Sequence, residues 1–153
     1  MLKNLDSYRP CVGVVLLNKA GKVFIGRRND KTKEIWQLPQ GGIEPGEDAA
    51  IAAKRELYEE TGVRNVKIIK SHLDWLSYDL PEEIRKAHWG GKYLGQKQKW
   101  FLMEFLGDDA EINVNSQIPE FDAWRWIDKE ELLDIAPGFK RDVYQKIIAE
   151  FLG

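Results

Sequence analysis

One segment constrains this chain more than any other. It runs Gly41-Gly42-Ile43-Glu44-Pro45-Gly46-Glu47, continues through residues 48–54, and ends Arg55-Glu56-Leu57-Tyr58-Glu59-Glu60-Thr61-Gly62-Val63. Glycine and proline punctuate Gln40–Gly46, which predicts a tight loop there. Alanines and acidic residues then lead a helix over Glu47–Thr61, with Gly62 just past its end. Ala50, Ala53 and Leu57 recur at spacings of three and four, so one face of this helix can pack on a sheet. Glu56, Glu59 and Glu60 stand at i, i+3 and i+4 and project from another face. Three carboxylates so placed repel one another and need a compensating charge. A divalent cation that prefers oxygen, magnesium above all, suits them. Arg55 is the nearest cation in the sequence and is placed to pair with Glu47, tying the glycine loop to the helix.

Composition narrows the metal further. The chain has one cysteine and two histidines, His72 and His88. An intrachain disulfide is impossible and a structural zinc site is excluded. Oxygen donors remain, which suit magnesium, calcium or manganese. Formal net charge is −2 over 153 residues, against a generic cationic nucleic-acid binder. The total conceals blocks: residues 1–33 carry +6 and residues 64–104 carry +3, while residues 34–63 carry −5. An acidic block between basic ones suits a site where cations and a polyanion meet.

The rest of the chain alternates strands and helices. Cys11–Leu17 and Lys22–Arg28 flank Asn18-Lys19-Ala20-Gly21 and read as a hairpin. Trp36–Leu38, Val66–Ile69, Leu73–Tyr78, Lys99–Leu106 and Trp124–Ile127 are further strands, with Lys99–Leu106 apolar enough to be central. Pro81–His88 reads as a short helix or loop, and residues 107–120 as irregular. Asp128-Lys129-Glu130-Glu131 has capping-box spacing and opens a helix to Ile135. After Pro137-Gly138, the residues Phe139, Val143, Ile147, Ile148 and Phe151 mark an amphipathic final helix. This order predicts one α/β domain over residues 1–153, an α/β/α sandwich with a mixed sheet. Trp36, Trp100, Trp124 and Trp126 read as core or sheet-packing residues, and Cys11 as an inert core thiol. His72 and His88 carry no motif.

An isolated Glu-x-x-Glu-Glu is usually a solvated acidic helix face. The full pattern over 41–63 matches by chance on the order of once in a billion windows. It resembles the Nudix box without gap or substitution. Tyr8-Arg9-Pro10, Trp36-Gln37-Leu38-Pro39-Gln40, Gly95-Gln96-Lys97-Gln98-Lys99-Trp100-Phe101, Pro119-Glu120-Phe121-Asp122, Trp124-Arg125-Trp126 and Phe139-Lys140-Arg141-Asp142-Val143-Tyr144 extend the likeness. Together they resemble the bacterial RNA pyrophosphohydrolase subfamily, also described as asymmetrically cleaving dinucleoside polyphosphate hydrolases. The departures lie chiefly in residues 79–94 and 107–118.

The resemblance implies the Nudix α/β/α sandwich and hydrolysis of a phosphoanhydride with Mg2+ or Mn2+, more than one ion. It implies Glu56, Glu59 and Glu60 as metal ligands, with the Gly41 carbonyl and Glu120 as further ones. The general base is then a box glutamate or Glu120. Gly41, Glu47, Arg55 and Gly62 take structural places in the box. Lys97 and Lys99, on one face of a strand, are placed for phosphate, as are Arg27 and Arg28; Gln96 and Gln98 face the other way. Arg9 and Phe139 resemble a pair that holds a base by stacking, and Tyr78 is a further stacking candidate. Arg9 together with Phe139-Lys140 favours the 5′-triphosphate end of RNA as substrate, with release of pyrophosphate. Dinucleoside polyphosphates such as diadenosine tetraphosphate are the alternative. A catalytically silent nucleotide- or RNA-binding module is the rival from another class. DNA is not an expected partner. The opening residues lack the apolar core of a signal peptide and no apolar run reaches membrane length, so a cytoplasmic protein is expected.

Overall fold

The computed structural model describes residues 7–30, 34–87, 92–115, 119–136 and 138–153. Their framework is an eight-stranded mixed sheet. Strand β1 (Tyr8–Leu17) lies at its centre, parallel to β7 (Gly95–Phe105) from Tyr8 opposite Gly95 to Leu17 opposite Glu104. Alternate residues of β1 serve opposite faces, as a strand requires. Val12, Val14 and Leu16 join a core with Ala52, Ala53 and Leu57 of helix α1 (Ala49–Thr61). Val15 joins a second core with Val143, Tyr144 and Ile147 of α4 (Arg141–Ile147). Helices therefore cover both faces, which makes the α/β/α sandwich.

The expected hairpin forms at its turn, where the Asn18 N–H donates to the Lys22 carbonyl at 3.0 Å and the two strands are antiparallel, but its pairing is short. Strand β2 (Val23–Arg28) meets β1 only at Leu17 opposite Val23, beside the turn. Residues Gln40–Gly42, expected to be loop, form a short strand β4 that lies antiparallel to Cys11–Gly13 and takes the place a hairpin partner would hold. Its predecessor β3 (Trp36–Gln37) and the later β8 (Phe121–Ile127) pair with β2 instead. The separation of β1 from β2 opens the sheet where β4 enters, and the site described below borders it.

On the far side of β7, strands β5 (Val66–Ser71) and β6 (Leu76–Asp79) share its edge. Helix α2 spans Glu82–Ala87; His88 lies outside the described residues, as does Pro137. Helix α1 begins two residues later than expected, because Asp48 is its cap and accepts from the Ala50 and Ile51 amides. The expected capping box at Asp128 does not form. Its carboxylate faces Lys22 Nζ at 3.7 Å, and a 3₁₀ turn (Lys129–Glu131) precedes α3 (Leu132–Ile135). The last helix is likewise compound: a 3₁₀ turn at Gly138–Lys140, then α4, then a π-helical turn at Ile148–Leu152.

Candidate active site

The geometry of the glycine loop follows from Arg55. Its guanidinium engages Glu47 through Nε and Nη2, both at 2.8 Å, and Nη2 also donates to the Gly42 carbonyl at 2.9 Å. Nη1 donates to Glu56 at 2.8 Å and to Glu59 at 3.2 Å. One planar fork thus closes the loop onto α1 and orients two of the three clustered acids. The contact to Glu59 follows from the i, i+4 spacing on a helix, whereas the contact to the adjacent Glu56 does not. Arg55 holds the Glu47 carboxyl down at about 2, and its own affinity for a proton rises in return.

Side chains crowd the open faces of Gly41 and Gly42. A Cβ on Gly41 would collide with the Glu56 carboxylate, and one on Gly42 with the Arg9 guanidinium. The β4 backbone therefore lies directly against an acid on one side and a base-stacking candidate on the other.

Glu56, Glu60, Glu120, Arg9, Arg28 and Lys140 border one cleft of about 390 Å³. Glu60 is only 4% exposed, and neither of its carboxylate oxygens has a hydrogen-bond partner. Burial first, then the charges of Glu56 and Glu120, push its pKa well above the usual carboxylate range; the nearby Gln40 amide opposes this only in part. Glu56 is raised as well, by burial, against the pull of Arg55. A buried acid with two unsatisfied oxygens beside two other acids is a costly arrangement by itself. A divalent cation with oxygen preference would satisfy all three, so the donor set fits such an ion. Glu59 stands further out, more than half exposed and tied to Arg55. Among the described residues no three acidic, imidazole or thiol groups are already drawn into a closed cage; the acids border an open cleft.

The same lining also carries donors. Lys140, almost fully buried, donates to Gln40 Oε1 at 3.3 Å. Burial, and then the charge of Arg28, lowers its pKa to about 8. Gln98 Nε2 donates to Gln40 Oε1 at 3.1 Å and to Gln96 Oε1 at 3.0 Å, while Gln98 Oε1 accepts from the Trp100 indole at 3.1 Å. Trp100 and Lys140 have only donors to give, so the amide orientations are determined. Gln96, which lines the cleft, must offer its NH2 group there, and the Gln40 amide reaches Tyr78. Phe139 lines the cleft beside Tyr78, their rings 5.7 Å apart.

Several candidates lie elsewhere. The face of β7 that borders the cleft carries Gln96, so Lys97 and Lys99 are directed away from it. Lys97 lies over Trp75 at 5.8 Å, and Lys99 Nζ donates to the Leu73 carbonyl at 3.4 Å. Arg27 is paired with Asp122 at 2.7 Å and does not line the cleft, whereas its neighbour Arg28 does. Gly62 ends α1 in the left-handed conformation, its N–H donating to the Tyr58 carbonyl. Gln40, Gln96 and Gln98 were missed as site residues. Their signal was the alternation Gln96, Gln98, Trp100: polar side chains on the same face of a strand as a core tryptophan.

Comparison with known proteins gives the family and the fold. The NUDIX domain family matches residues 7–151. The chain is 53% identical over 146 residues to an RNA pyrophosphohydrolase of Dinoroseobacter shibae, covering 94% of this chain and 91% of that protein. It is 51% identical over 146 residues to an RNA pyrophosphohydrolase of Rhodospirillum rubrum, covering 95% and 88%. Among solved structures, the C. elegans Ap4A hydrolase binary complex superposes with a TM-score of 0.66 at 23% identity, covering 95% of this chain and 98% of that one.

Proposed function

The chain belongs to the NUDIX family, and from that premise we propose that it is an RNA 5′-pyrophosphohydrolase: it converts 5′-triphosphate ends to 5′-monophosphate ends and releases pyrophosphate. The family's enzymes generally use divalent metal ions. The observation that carries the chemistry is Glu60, a buried carboxylate with no partner for either oxygen, facing Glu56 and Glu120. The names of the relatives that match nearly the whole chain support the RNA substrate.

Glu56, Glu59, Glu60 and Glu120, with the Gly41 carbonyl, would hold Mg2+ or Mn2+, more than one ion. Bound there, such ions supply positive charge to phosphate oxygens and acidify a water. The chain's own residues do the rest. A carboxylate of Glu56, Glu60 or Glu120 accepts the proton of the attacking water. Water oxygen forms a bond to phosphorus as the anhydride P–O bond breaks, and pyrophosphate leaves with the bonding pair. Arg28, Lys140 and Gln96, which line the same cleft, present donors to the phosphate chain. Arg9, Phe139 and Tyr78 offer planar surfaces to the terminal base. Lys97 and Lys99 stand outside this cleft and contribute charge at its approaches, whereas the charge of Arg27 is balanced by Asp122. Cys11, buried and raised to about 11 chiefly by burial, is an inert thiol, compatible with the reducing cytoplasm. No helix among the described residues is long and apolar enough to cross a membrane.

A side-by-side assay with magnesium on triphosphorylated RNA, diadenosine tetraphosphate and free nucleotides tests the reading. The highest kcat/KM is expected on RNA. A higher value on diadenosine tetraphosphate would replace the RNA reading with the dinucleotide one. Binding without any magnesium-dependent product would point to a silent module.

A further inference from the structure

Among the described residues, three buried side-chain nitrogen or oxygen atoms have no hydrogen-bond partner: both carboxylate oxygens of Glu60 and the amide oxygen of Gln37. The chemistry above uses Glu60 and leaves Gln37 without a role. Gln37 is 6% exposed and borders the same cleft as Glu56, Glu60 and Glu120. A buried polar atom without a partner is costly, and native proteins hold few of them. Here all three are acceptors, and all belong to residues of one cleft. The partner they call for is a donor or a cation.

The strand pattern explains why an amide lies there. Trp36 and Leu38, on either side of Gln37, both pack in the core of Val15 and Tyr144. Successive side chains of an extended segment point to opposite faces, so Gln37 turns toward the face that α1 covers. It stands opposite Gly26 of β2, and the Phe121 ring occupies the space that a Cβ on Gly26 would take. Phe121 directly follows Glu120, so the strand that packs beside Gln37 carries Glu120 to the same cleft. Magnesium keeps several of its waters when carboxylates bind it. Water on a cation turns its protons outward and needs acceptors around it. A neutral amide oxygen supplies one without adding another charge to crowded acids.

We propose that Gln37 is a positioning residue of the metal site: its amide oxygen accepts a hydrogen bond from water on the cation that Glu60 holds. The inference rests on the metal reading of the acids and extends it to a neutral residue. It is independent of which phosphoanhydride is cleaved.

The test is Mn2+ affinity, read from the electron paramagnetic resonance of the free ion, for the unaltered protein, Gln37→Met and Gln37→Glu. Thermal melting without metal accompanies it. Gln37→Met keeps the size of the side chain and loses the oxygen. It should bind Mn2+ about 10–100-fold more weakly, the usual loss when a supporting partner of a metal site is removed. Without metal it should melt no lower than its parent. Gln37→Glu keeps an acceptor and adds charge, so it should bind Mn2+ at least as tightly as the parent. Without metal it should melt lower, because one more buried acid joins Glu56, Glu60 and Glu120. Unchanged Mn2+ affinity in Gln37→Met would overturn the assignment, since a role in packing alone leaves metal binding untouched. Weaker binding by Gln37→Glu would overturn it too, because the side chain would then serve as a donor to an anion. An unaltered protein that melts cooperatively but binds no Mn2+ would instead remove the metal reading of the acids, and the Gln37 assignment with it.

Discussion

Trp100 donates its indole N–H to the side-chain carbonyl of Gln98 at 3.1 Å, and this one bond sets the amide orientations beside the cleft. An amide can turn either way; an indole can only donate. With Gln98 fixed, Gln96 and Gln40 must accept from it, which leaves their NH2 groups as donors, that of Gln40 to Tyr78. Trp100→Phe should raise KM several-fold with a smaller change in kcat, since the relay loses its direction. The unpaired Gln98 oxygen should cost about 1–3 kcal/mol of stability. Gln96→Glu keeps an acceptor for Gln98 but faces the substrate with a carboxylate, and should raise KM at least tenfold while the fold remains. Steady-state kinetics and denaturant melts read both; an unchanged KM in Gln96→Glu would remove Gln96 from the phosphate wall.

Glu60→Gln should divide turnover by at least about a hundred, as loss of an essential charged group does. The same change should stabilise the metal-free protein. A carboxyl whose folded pKa is raised loses stability as pH climbs past its unfolded value near 4.5, because the unfolded state gives up its proton first. The variant should therefore melt a few degrees higher near neutral pH without metal, since about 1 kcal/mol moves a chain of this size by about 2–4 °C. Magnesium should raise the melting point of the unaltered protein and leave the variant nearly unmoved. A variant as active as its parent would end the assignment of Glu60.

Glu47 has the opposite sign. Its pKa is held at about 2 in the folded state by Arg55. Its contribution is complete above the unfolded value near 4.5 and is lost as pH falls toward 2. Melting curves of the unaltered protein and Glu47→Gln should thus differ near neutral pH and converge in acid. Arg55→Lys keeps the charge but not the fork, and should lose at least about tenfold in kcat as Glu56 and the glycine loop are released.

Gly41→Ala tests the fit between backbone and acid. The new methyl group would occupy the space of the Glu56 carboxylate, so Glu56 must move. Magnesium-dependent activity should fall at least about tenfold while circular dichroism stays that of the parent. Full activity would show that Glu56 has room to spare.

The helix and its three clustered acids were legible because local spacing alone decides them, whereas the first three residues of the expected loop form β4. Residues i, i+3 and i+4 share a helix face whatever the rest of the chain does, and a chain with one cysteine and two histidines leaves oxygen as the metal donor. Strand β7 was legible as central from its apolar run. The hairpin was legible at its turn but not in its extent, since which strand lies beside Cys11–Gly13 depends on Gln40–Gly42 arriving from elsewhere. Lys97 and Lys99 stood out as cations on one strand face, but only the sheet's placement in the sandwich decides which face borders the cleft.

The amino-acid sequence by itself thus determined the α/β class, the acidic helix and the kind of metal it suits, all consequences of periodicity and composition. Tertiary structure decided the rest: that Glu60 is buried without partners, that Glu120 joins it from a distant loop, and that Gln96 rather than Lys97 faces the cleft. Those outcomes depend on burial and on hydrogen bonds between residues far apart in the chain. No local pattern carries that information, because the energy of each group is set by neighbours that only the folded sheet supplies.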